Sequence, residues 1–73
     1  MIPLHDMPIG KKAKIKKIKT GKKLEGRMAS LGLLEGDVVK IVHHASGPII
    51  IAKGDLRFAL GHGMSMKIMV EEI

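Results

Sequence analysis

The chain has no cysteine, tryptophan or tyrosine, and a single phenylalanine, Phe58, among its 73 residues. The missing cysteines exclude disulfide frameworks, thiolate zinc sites and thiol nucleophiles, and they suit a reducing compartment. Without aromatic side chains there is no stacking platform of the kind that common single-strand RNA binders use. Long hydrophobic runs are missing too. The longest strongly apolar stretch is 49–52, far short of the ~18 residues a membrane span needs, and the N-terminus lacks a charged-then-apolar signal pattern. These absences predict a soluble, cytoplasmic protein with no membrane insertion. The length fits one domain over residues 1–73 and excludes a two-domain enzyme.

Acidic residues are scarce: seven Asp and Glu face thirteen Lys and Arg, a formal charge of +6. Nine of the thirteen lie between Lys11 and Arg27, where Glu25 is the one acid. A partner of this chain is therefore expected to be acidic.

Apolar and basic residues alternate around Ala13, Ile15 and Ile18, which predicts a first strand over 11–19 with a bulge at Lys16-Lys17. Thr20-Gly21 breaks it. Leu24, Met28 and Leu31 then recur at helical spacing, and Gly32 is the expected helix stop. The β-branched run 38–44 predicts a second strand. Residues 49–53 and 56–60 form a hairpin around Gly54-Asp55, where Gly54 supplies the positive φ that a two-residue turn requires. Residues 61–65 read as a loop or a single helical turn, and Met66, Ile68 and Val70 alternate as a fifth strand. A short open sheet would leave one face bare, so the pattern predicts an all-β fold with one short helix in the first connection: a small, five-stranded, SH3-like barrel.

The run from Leu24-Glu25-Gly26-Arg27 through Ser30-Leu31-Gly32-Leu33, the following Glu35-Gly36, then Gly47-Pro48-Ile49, Ala59-Leu60 and a terminal Ile-x-Val resemble the ferrous iron transport protein A (FeoA) family. Leu4-x-Asp6-Met7-x-x-Gly10 resembles the family's opening. The resemblance spans nearly the whole chain. It implies an SH3-like fold and a small cytoplasmic accessory to the membrane GTPase that imports Fe²⁺, with relatives appended to metal-dependent repressors. The chain departs from the family in two places: it keeps one arginine, Arg27, where several are common, and it has 61–64 where an acidic stretch is usual.

Three groups of residues are candidate sites. Lys22, Lys23 and Arg27 lie on the helix, the first two at its N-terminus, where the dipole disfavours cations by ~0.3–1 kcal/mol and an anion would relieve the conflict. The alternative reading of the basic stretch is a set of solvated lysines guarding an edge strand. Gly21-Lys22 is no phosphate-binding loop, because it lacks the upstream Gly and the following Ser or Thr. Leu33 and Leu34, beyond the Gly32 break, are either tucked under the barrel or form an apolar anchor for a partner or a second copy. The third group is the histidines. His43 and His44 are adjacent on a strand, so they face opposite sides and do not share an ion. His5, His43 and His62 are candidate ligands for a transition metal such as Fe²⁺, but no full donor set converges in the sequence. Met64, Met66 and Met69 read as core filler.

Ser65, in Gly63-Met64-Ser65-Met66-Lys67, lacks the closing glycine of a nucleophile elbow, and no His and carboxylate show partner spacing, so the chain does not read as an enzyme. The reading is an interaction module that docks on the cytoplasmic domain of the transporter GTPase and modulates it. Its rivals are a basic nucleic-acid-binding barrel, held by phosphate contacts alone, and a free-standing metal-binding or metal-sensing barrel.

Overall fold

Strand alternation and glycine turns account for most of the backbone. The computed structural model describes residues 1–19, 22–44 and 46–73, without the side chains of Lys22, Leu24 and Glu25. The elements run β1 (Ile2–Pro3), a 3-10 turn (Leu4–Asp6), β2 (Lys12–Ile18), α1 (Lys22–Ser30), β3 (Val38–His44), β4 (Ile49–Lys53), β5 (Leu56–Leu60), α2 (His62–Ser65) and β6 (Ile68–Glu72). The expected break at Thr20-Gly21 lies outside the described residues.

The strands form one antiparallel sheet in the order β1-β6-β2-β3-β4-β5. It has six strands rather than the expected five. The addition is β1, whose two residues pair with Val70 and Met69 of β6 and are too few to show alternation. The lysine-rich β2 is flanked by β3 and β6, which overturns the edge-guard reading of its lysines. The edges are β1 and β5, and the 3-10 turn that follows β1 packs against α2, which follows β5.

In β2, Ala13, Ile15 and Ile18 point into the core while the lysines face water. The register shifts between Ile15 and Lys17, so Lys16 and Lys17 are both exposed and Ile18 returns to the inside. A second shift separates Ile41 from His43 in β3. Val39 and Ile41 are buried, but Val42 and His43 both face out. A bulge inverts the side-chain parity of everything beyond it.

Helix α1 docks Met28 on the core, while Leu31 is 41% exposed, against the helical-stripe expectation. The helix stops at Gly32, whose φ of +84° is open to glycine at little cost. After this turn Leu33 swings inward and is fully buried. Its expected role as a surface anchor is therefore corrected: it is a core residue. Gly54, with φ +58°, makes the tight turn between β4 and β5.

Candidate interaction surface

The end of α1 is held rigidly. Asp37 Oδ2 accepts hydrogen bonds from the Leu34 backbone N–H at 2.8 Å and from Lys53 Nζ at 2.8 Å, and Lys53 also donates to the Gly32 carbonyl. The Lys53 ammonium thus sits at the C-terminal, electronegative end of α1. Its hydrogen bond, with that of the Leu34 N–H, holds the Asp37 carboxyl below the ordinary value for aspartate. Glu35 braces the same turn by accepting from the Ile18 N–H at 3.3 Å. Leu34 projects from this fixed turn, 53% exposed, beside a shallow groove of about 320 Å³ lined by Ile18, Ala29, Leu33, Leu34 and Glu35. Lys23 and Arg27 are exposed on α1. The Lys22 side chain lies outside the described residues.

A second surface was not visible in the sequence. The register aligns Lys12 with Lys40, Lys40 with Ala52, and Ala52 with Arg57. One transverse row across four strands therefore carries Lys12, Lys40 and Arg57. Neighbouring strands are ~4.8 Å apart, so Lys12 and Lys40 oppose each other directly, an arrangement that costs rather than contributes stability. The row crosses a groove of about 610 Å³ whose lining includes Ile9, Val38 and Val42 and no acidic residue. Ile9 is 54% and Val38 43% exposed. Cations that repel one another beside uncovered apolar side chains complement an acidic, partly apolar partner segment. Nothing in the local sequence marks this row, since its members come from β2, β3 and β5.

The candidate histidines separate. His43 is exposed, whereas His5 and His62 come together with His44, which was not among the expected ligands. His5, on the 3-10 turn, packs edge to face against His44 at 4.5 Å and against His62 at 4.4 Å between ring centroids. Burial of the ring and the nearby imidazoles of His62 and His44 lower the pKa of His5, with Asp6 acting in the opposite direction. The bulge before His43 is the reason that His44 rather than His43 takes part. Among the described residues no helix is long and apolar enough to cross a membrane.

Comparison with known proteins agrees with this architecture. The model of the FeoA domain matches residues 2–72. A Methanocaldococcus jannaschii protein provisionally named Fe(2+) transport protein A is 36% identical over 72 residues, 99% of this chain and 88% of that protein. A crystal structure of an iron uptake regulatory protein (FeoA) is 33% identical, with a TM-score of 0.89 over 99% of this chain and 96% of the other. A Stenotrophomonas maltophilia FeoA solved in complex with zinc is 21% identical, with a TM-score of 0.75 over 97% and 91% of the two chains. That protein is described as a procaryotic SH3-domain protein and proposed there as a ferrous iron transport activating factor. The fold here is accordingly SH3-like.

Proposed function

The chain belongs to the FeoA domain family, and from that premise we propose that it is a cytoplasmic accessory of ferrous iron uptake that docks on the cytoplasmic domain of the membrane Fe²⁺ transporter GTPase. It acts by binding rather than by turnover. The observation that carries the reading is the row of Lys12, Lys40 and Arg57 over apolar neighbours. Such a surface steers an acidic partner from a distance and then buries apolar area at contact. Leu34, fixed by Asp37 beside the groove at the end of α1, offers a second apolar contact, with Lys23 and Arg27 as its cationic surroundings.

The test is titration of the transporter's cytoplasmic domain with the wild-type chain and with Lys40→Glu and Arg57→Glu. Saturable binding that the double variant weakens at least tenfold supports the reading. Binding that the double variant leaves unchanged removes the cationic row from it, and absence of binding by the wild type overturns it. A gel shift at physiological salt covers the rival: tight, sequence-selective nucleic-acid binding favours a nucleic-acid module instead.

A further inference from the structure

Among the described residues no group of three His, Cys, Asp or Glu could hold a metal ion. The feature outside the docking row that calls for a partner is the basic far end of β2, where Lys16, Lys17, Lys19 and, from the neighbouring chain, Lys67 are all exposed.

Strand register brings these side chains together. The bulge in β2 turns Lys16 and Lys17 outward in succession, where regular alternation would present only one of them. Lys17 pairs with Met69 and Ile18 with Ile68 of β6. On the next rung the Lys19 N–H donates to the Lys67 carbonyl at 2.8 Å. Lys19 and Lys67 therefore stand opposite each other with like charge, which weakens the fold unless something neutralises them. The ion pairs formed among the described residues, Lys11–Glu72 and Lys53–Asp37, take up none of the four lysines. The adjacent acids are Glu35, whose carboxylate accepts the Ile18 N–H, and Glu71, opposite Lys14. Lys22 and Lys23 open α1 shortly after Lys19, so the basic stretch continues beyond the strand.

What this patch lacks defines its partner. None of its lysines lines either groove described above, so a partner meets it as a surface. It has no arginine fork for planar, bidentate recognition and no aromatic ring for base stacking. Ammonium point charges on flexible stems suit a mobile, dispersed layer of phosphates. Apolar contact comes from Met66, 36% exposed beside Lys67, and from Met69, half-buried opposite Lys17. Unbranched thioether chains next to lysines match the boundary between headgroups and acyl chains. A nucleic-acid backbone offers phosphates without that apolar layer.

We propose that Lys16, Lys17, Lys19 and Lys67, with Met66, form a contact surface for the anionic headgroups of a lipid bilayer. Each lysine brought to such a surface strengthens binding by roughly fivefold, so four of them hold the chain on the membrane reversibly. At ~3.3 Å per residue the patch lies roughly 15–20 Å along β2 from Lys12. It is therefore separate from the docking row and requires no transporter.

The experiment is co-sedimentation of the tag-free full chain with vesicles of equal parts phosphatidylglycerol and phosphatidylcholine, beside vesicles of phosphatidylcholine alone. Binding to the anionic vesicles only, lost when salt is raised to about 0.5 M, is expected. Lys16→Gln/Lys17→Gln and Lys19→Gln/Lys67→Gln each weaken it about tenfold or more. Lys40→Gln/Arg57→Gln, which removes the same charge from the docking row, changes it less than about threefold. Circular dichroism melts establish that the variants are folded. No binding of the wild type to anionic vesicles overturns the proposal, as does an equal loss in Lys40→Gln/Arg57→Gln. Displacement from the vesicles by a DNA duplex at equal phosphate concentration overturns it in favour of a nucleic-acid contact. The vesicles hold no transporter, so this result and that of the transporter titration are read independently.

Discussion

Lys53 Nζ lies 2.8 Å from Asp37 Oδ2 and also donates to the Gly32 carbonyl, so one side chain of β4 ties the end of α1 to the turn that enters β3. Asp37 in turn receives the Leu34 N–H. Asp37→Ala removes two acceptor contacts at once and should destabilise the fold by roughly 1–2 kcal/mol, read as a lower urea midpoint. Because the Asp37 pKa is depressed from 3.8 in the fold, its contribution is complete above 3.8 and is lost as pH falls through the lower folded value. Asp37→Asn should lack that acid step. A variant as stable as the wild type at neutral pH and in acid would contradict this role.

Leu33 and Leu34 are neighbours with opposite environments, the first fully buried and the second 53% exposed. Leu33→Ala should cost ~2–5 kcal/mol through lost burial and a residual cavity. Leu34→Ala should change stability by less than about 0.5 kcal/mol while weakening transporter binding. Equal losses in chemical denaturation would show that Leu34 packs as core.

Lys12 and Lys40 face each other across β2 and β3. Lys40→Glu replaces repulsion with attraction and should stabilise the protein by ~0.2–1 kcal/mol, while lowering affinity for an acidic partner. Melting temperature and binding should therefore move in opposite directions, with the stability gain shrinking in high salt. A fall in both would mean that the row is a structural element.

His5 is held below its ordinary value of 6.5 by desolvation first and then by His62 and His44. The unfolded chain therefore takes up a proton before the folded one does. Stability should be complete above 6.5, decline as pH drops from there towards the folded value, and level off below it. Melting curves between pH 8 and 5 check this, with His5→Gln expected to flatten the slope. An unchanged slope in that variant would assign the step to another group.

Much of the fold was legible because the signals are local. The 38–44, 49–53 and 56–60 strands, the Gly54 turn, the Gly32 stop and the bulge at Lys16-Lys17 follow from alternation and glycine placement, and all appear in the structure. The family resemblance was legible for the same reason and matches residues 2–72. The two-residue β1 left no pattern to read. Choosing between His43 and His44 needs the bulge before His43, which reverses the inward parity of Val39 and Ile41 and leaves no mark in the sequence. Which of Leu33 and Leu34 is buried stayed open because the direction of the chain after a positive-φ glycine depends on what the next side chain can pack against.

By its own residue order the chain determines where strands, turns and helix form, since pleat alternation and glycine's access to positive φ are properties of neighbours in sequence. Which outward-facing residues become neighbours in space was decided only by tertiary pairing. Lys12, Lys40 and Arg57 share a row, and His5, His44 and His62 share a cluster, because strand register and bulges are set by distant partners. A shift of one residue in either would have turned those side chains to opposite faces.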